Sequence, residues 1–107
     1  MSMSRDLLAV LGQERPEVME ALGQLVQTLA RTPHLDPAQR ELVRLAVAVA
    51  LGNAGAVAGH LTLALQAGVT RDQLVDAILL CIPGAGAPRP LAALAMLADL
   101  DGEGTPG

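Results

Sequence analysis

Phenylalanine, tyrosine and tryptophan are all missing from this chain of 107 residues. Without them no platform exists on which nucleobases could stack, and any core must be built from aliphatic side chains. Lysine is missing as well. The 7 basic residues are all arginines, spread along the chain, and the net charge is −4. A mildly acidic chain without a basic stripe has nothing to offer a phosphate backbone, so nucleic acid is not an expected partner. The single cysteine, Cys81, has no second thiol to pair with, which fits a reducing compartment. With 2 histidines and no cysteine cluster, neither a metal site nor a cofactor is expected. Apolar runs such as Leu45–Leu51 fall far short of the roughly 20 residues that cross a bilayer. The opening Met-Ser-Met-Ser-Arg-Asp lacks the charged and apolar regions of a signal peptide. No membrane association and a cytoplasmic location are therefore the expectations.

The chain is 51% apolar, almost entirely as Leu, Ala and Val. Leu and Ala are strong helix formers that lose little side-chain entropy in a helix, and no strand-like alternation competes. The expected fold is all-α: a single domain over residues 1–100, with five or six helices. Start and stop signals place them. A short helix is expected from Arg5 to Leu11, ending near Gly12, and a second begins at Pro16, with Pro33 breaking the chain after it. Asp36-Pro37-Ala38-Gln39 is a capping box opening a helix to Leu51, which is apolar nearly all round from Leu45 and is read as central and buried. Gly52 interrupts, and Asn53 caps a helix to about Ala67, so the two helices form a central antiparallel pair. After the Gly68 stop, Thr70-Arg-Asp-Gln73 opens a helix to about Ile82. Pro83–Pro90 reads as a loop, Pro90–Leu100 as a last helix burying Leu91, Leu94 and Leu97, and residues 101–107 as a disordered tail.

One phrase is more specific than composition. Glu41-Leu-Val-Arg44 leads through Gly52-Asn53-Ala-Gly-Ala56-Val-Ala-Gly-His60 into Leu-Thr-Leu-Ala-Leu-Gln-Ala-Gly68-Val-Thr70. It resembles the carboxymuconolactone decarboxylase / alkylhydroperoxidase D-like family, and the resemblance extends from about Pro16 to Leu100. In the family's peroxidase branch, the signature is a Glu, then Cys-x-x-Cys, then a His four residues after the second Cys. Glu41 and His60 stand at the Glu and His positions; Asn53 and Ala56 stand at the two cysteine positions. The resemblance implies the family's multihelical fold, and a homo-oligomer, a trimer or hexamer assembled from intertwined dimers. It also implies a site in which Glu41 and His60 relay protons, with Asn53, Ala56 and Arg44 beside a ligand.

The residues can be weighed without the family. Glu41 lies 11 residues before Gly52 and His60 lies 8 after it. In a helical hairpin that offset is about one turn, close enough for the side chains to meet. A carboxylate beside an imidazole is a proton-transfer pair. The competing structural reading makes Glu41 and Arg44 an ordinary helical ion pair and has His60 hydrogen-bond a neighbouring carbonyl. Cys81, amid Ala77, Ile78, Leu80 and Ile82, reads as a small core hydrophobe, and His34 as a solvated loop residue.

Two functions follow from this reading. The first is a member of the scaffold without the redox dithiol, acting as a non-peroxidase binding or interaction module, with a possible small-molecule ligand. The alternative is a cofactor-free lyase of the γ-carboxymuconolactone decarboxylase type, in which Glu41 and His60 handle the proton and Arg40, Arg44 or Arg89 hold substrate carboxylates. Oligomerisation has a physical argument as well: so small a domain cannot hide this much Leu and Val in one private core.

Overall fold

The computed structural model describes residues 3–104, with side chains described for residues 8–101. Seven helical segments and no strand occur among the described residues: α1 (Met3–Glu14), α2 (Pro16–Leu29), α3 (Pro37–Leu51), α4 (Ala54–Gln66), α5 (Arg71–Leu80), the single turn α6 (Ile82–Ala85) and α7 (Pro88–Gly104). Contacts group the chain into two compact units, Met1–His34 and Leu35–Gly107.

The first unit is a pair of helices joined at Arg15. Gly12 does not stop α1; the helix continues to Glu14, and Pro16 enforces the break by holding Arg15 at φ −147°, ψ 81°. No described residue of α1 or α2 is buried, and Leu22, Leu25, Val26 and Leu29 are all exposed.

The second unit carries the core. Both capping boxes form: Asp36 accepts from the Gln39 amide while the Gln39 side chain accepts from the Asp36 amide, and Thr70 and Gln73 repeat the exchange. Each box satisfies two of the amides that a helix start leaves orphaned. At the far end of α3, Gly52 takes the left-handed conformation at φ +71°. The amides of Gly52 and Asn53 then close onto the carbonyls of Val49 and Ala48, at 3.0 and 3.1 Å. Gly68, at φ +92°, closes α4 likewise, and the Val69 amide bonds the Ala64 carbonyl at 3.0 Å while its side chain enters the core.

Helix α3 packs on α4, α5 and α7, and α4 and α5 also meet α7. Leu45, Leu61, Leu74, Ile78 and Leu97 are the fully buried aliphatic ridges, filled in by Ala48, Val49, Val57, Ala64, Val69 and Ala93. Each fully buried Leu or Ile contributes roughly 1.5–3 kcal/mol relative to exposure. Small alanines at the contacts let the helix axes approach, which is how a core without rings stays dense.

Three expectations need correction here. Helix α3 is buried on one face only, through Glu41, Leu45, Ala48 and Val49; Val43, Val47 and Leu51 stay exposed. The Pro83–Pro90 segment is not wholly a loop: α6 forms through the Ala85 amide bonding the Cys81 carbonyl at 2.8 Å, and α7 already starts at Pro88. Helix α7 runs through Gly104 rather than ending at Leu100, and Asp101 pairs with Arg71 at the start of α5. Part of the expected tail is thus helical, and residues 105–107 lie outside the described residues. Within α7, Leu97 and Ala93 are buried while Leu91 is exposed.

Candidate functional site

The two-residue reversal Gly52–Asn53 sets the register of α3 against α4, and that register brings Glu41 and His60 together. His60 Nδ1 lies 3.1 Å from Glu41 Oε2. On the other carboxylate oxygen, Arg44 donates to Oε1 at 2.9 Å. Glu41 is the one buried charged residue among those described, at 8% exposure. The side chains of His60 and Arg44 keep 26% and 36% of their surface. The carboxylate is thus sheltered and doubly bonded, while its partners reach toward solvent. Both readings of the sequence survive in part: the Glu41–Arg44 ion pair forms, and His60 engages the same carboxyl group rather than a backbone carbonyl.

The chemistry of this triad follows from donor and acceptor counts. A carboxylate only accepts, so Glu41 fixes the proton of a neutral imidazole on Nδ1 and leaves the lone pair on Nε2. Nε2 has no hydrogen-bond partner among the described residues. An imidazole oriented in this way can accept a proton at Nε2 and return it, with Glu41 stabilising the cation in between.

The residues at the cysteine positions play a different part. Asn53 is exposed and is the N-cap of α4; its Oδ1 accepts from the Ala56 amide at 3.1 Å. Ala56 is partly buried and packs against the core. The expected pocket face is therefore the capped first turn of a helix, with one side-chain oxygen already engaged by the backbone. Of the three candidate arginines, only Arg44 comes to Glu41. Arg40 donates to the Leu35 carbonyl at 2.6 Å, and Arg89 to the Ala50 carbonyl at 2.7 Å. The i,i+3 spacing on α3 marks Arg44 as the partner of Glu41 in the sequence, whereas the seat of Arg89 depends on where α7 begins relative to the end of α3.

Three clefts in this unit are lined by other residues. One is lined by Val49, Gly52, Ala54, Val57, Arg89 and Met96 among others, one by Ala58, Leu61, Met96, Asp99 and Leu100, and one by Leu42, Val43, Ala46, Ala77, Leu80 and Cys81. None of these three includes Glu41 or His60. Cys81 is partly buried at the C-cap of α5, with Sγ 3.4 Å from the Ala77 carbonyl oxygen. Burial pushes its thiol pKa above the ordinary value. No group of three His, Cys, Asp or Glu placed to hold a metal occurs among the described residues, and none of their helices is long and apolar enough to cross a membrane.

Gly52 carries a further constraint. A Cβ there would sit 2.9 Å from Arg89 Nε, on top of the left-handed backbone. Gly52→Ala is expected to destabilise the protein by about 1–2 kcal/mol, read as a lower midpoint in urea with an unchanged slope.

An all-α domain whose paired helices hold a Glu–His–Arg cluster across a tight glycine reversal is a recognisable class. The chain belongs to the carboxymuconolactone decarboxylase family, whose model matches residues 16–99. It is similar to an uncharacterized protein of Cupriavidus necator, 32% identical over 91 residues that cover 85% of this chain and 80% of the relative. It is also similar to an uncharacterized protein of Methanocaldococcus jannaschii, 28% identical over 98 residues that cover 92% of each chain.

Proposed function

We propose that this protein is a non-peroxidase member of the family, a binding and assembly module that keeps the Glu41–His60 pair without the redox dithiol. The observation that carries the reading is the first turn of α4. Where the peroxidase branch places two sulfurs, Asn53 caps the helix and Ala56 packs inward. Dithiol chemistry needs two sulfurs within bridging distance, and the chain has 1 cysteine. A thermal-shift screen with short carboxylates, lactones and acyl thioesters tests it. A saturable shift without product supports the module, and product formation overturns it.

Cys81 is not a substitute nucleophile in this reading. Its raised pKa leaves less thiolate at neutral pH than a free thiol has. Iodoacetamide is expected to alkylate Cys81 more slowly than free cysteine at the same pH, and Cys81→Ser to leave peroxide consumption unchanged. Rapid turnover that vanishes in Cys81→Ser is the contrary result.

Assembly belongs to the same proposal. Val43, Val47 and Leu51 line the outer face of α3, and Leu80 is 77% exposed. Such a surface is unusual for a monomer in water, and a closed homo-oligomer, a trimer or hexamer, covers it. Size exclusion with light scattering is expected to give a multiple of 11.0 kDa. Refractive-index detection is required, because the chain has neither Trp nor Tyr.

A second reading is favoured by one observation: His60 Nε2 has no hydrogen-bond partner among the described residues while Nδ1 is held by Glu41. That is the arrangement of a general base, and it fits a cofactor-free lyase of the γ-carboxymuconolactone decarboxylase type. Lactone decarboxylation that is lost in His60→Gln would establish it.

A further inference from the structure

We infer that the cleft between the start of α4 and the start of α7 is a binding site for a short-chain aliphatic carboxylate, with Arg89 as the group that receives the carboxylate. The site is separate from the Glu41–His60 pair and does not depend on that pair being active.

Three observations carry the inference. The cleft holds about 230 Å³ and its walls are aliphatic: Val49, Val57, Ala54, Ala92, Ala93 and Met96. That is below the ~300–1,000 Å³ of drug-sized pockets, so the occupant is small. Among the described residues, Arg89 is the only charged one lining the cleft. Arg44 and Arg71 of the same unit are each paired with a carboxylate, Glu41 and Asp101. Arg89 makes no ion pair among the described residues, and its one hydrogen bond goes from NH1 to the Ala50 carbonyl oxygen at 2.7 Å.

That bond does not exhaust the guanidinium. Five N–H donors lie in a fixed fork, and one contact to a carbonyl leaves donors for a carboxylate. It also fixes the side chain in place. The Ala50 carbonyl anchors NH1, and Gly52 supplies the clearance that lets Nε pass close to the backbone. A guanidinium held this way loses less entropy on binding than a free one. The first turn of α4, entered at Ala54, also lines the cleft and adds a positive helix end to it. One cation and aliphatic walls around a small volume select a ligand with one negative head and a short hydrocarbon tail.

Arg89 has a structural part too, since a cation over the last carbonyls of α3 favours that helix end. The test must therefore read ligand preference rather than stability. The full chain, labelled with 13C at Met and Ala methyls, is titrated with hexanoate, 1-hexanol and hexylammonium. Hexanoate is expected to shift the methyls of Met96, Ala54 and Ala92 saturably. Hexanol is expected to bind at least about tenfold more weakly, since it lacks a charge-assisted bond, and hexylammonium not to bind. Arg89→Gln should bring hexanoate down to the level of hexanol. Ala92→Leu, which fills the cleft and keeps the cation, should abolish both.

Equal affinity for hexanoate and hexanol overturns the proposal, as does unchanged hexanoate binding in a folded Arg89→Gln. Methyl shifts that follow protein concentration and not hexanoate would instead assign the cleft to an acidic side chain of a second copy, and overturn it as well. If Arg89→Gln does not fold, the ligand ratio on the unsubstituted chain and the Ala92→Leu result decide.

Discussion

Replacing Leu61 by Ala is expected to lower stability by about 3 kcal/mol, within the ~2–5 kcal/mol range for buried Leu truncation. Leu61 is fully buried on α4 and belongs to a buried cluster of Leu, Ile, Val and Ala, with Met96 and Cys81 packed against it and Pro90 also buried. No ring is available to swing into the void, and the neighbouring ridges come from helices whose ends are pinned by capping boxes and glycine closures. Met96, which lines a cleft beside Leu61, is the side chain best placed to relax into the void, so the expected loss sits in the middle of the range. A unit of about 70 residues has roughly 4–10 kcal/mol of total stability, so this one substitution removes a large share of it. Urea unfolding followed by circular dichroism measures the loss. A change under about 1 kcal/mol would mean that the cluster repacks freely and that the account of its rigidity is wrong.

Glu41→Ala is expected to destabilise by about 1–3 kcal/mol. Its carboxylate accepts from two partners in a sheltered position, and truncation leaves His60 Nδ1 and Arg44 without their acceptor. Arg44 keeps more than a third of its side-chain surface and recovers hydration easily, so its share is small. Most of the effect is assigned to His60 and to the void left by the buried Glu41 side chain. A double-mutant cycle of Glu41→Gln with His60→Gln separates the pair from its surroundings, with an expected coupling of at least about 0.5 kcal/mol. Additive single effects would show that the two side chains are neighbours without being a pair.

Much of this architecture was readable before any coordinates. Asp36 and Thr70, each followed three residues later by Gln, mark helix starts because the exchange of side-chain and backbone bonds is local and needs no tertiary partner. Gly52 and Gly68 were legible for the same reason. The Glu41–His60 approach was legible because one helical reversal of known length connects them.

What stayed hidden depends on packing or on competition between signals. Gly12 reads as a stop, yet without a left-handed turn a glycine is only a weak helix residue, and Pro16 decides the boundary. The exposed outer face of α3 could not be told from a buried one, because Val43 and Val47 are apolar in either case. The place of Asn53 in the signature puts it beside a ligand, and nothing in that placement tells that its Oδ1 also accepts from the Ala56 amide as the cap of α4. The seat of Arg89 over the end of α3 joins residues 39 positions apart and leaves no trace in spacing.

The Gly52–Asn53 joint has an evolutionary corollary. One added residue there would turn α4 by about 100° and slide it by about 1.5 Å, carrying His60 off Glu41 and lifting Val57, Leu61 and Ala64 out of the core together. Point changes at the joint meet a local penalty, whereas a change in its length scrambles an entire helix face. Among homologues that retain the pair, insertions and deletions should therefore gather in the segments after Leu29 and before Pro88, and the count of residues from Glu41 to His60 should stay constant.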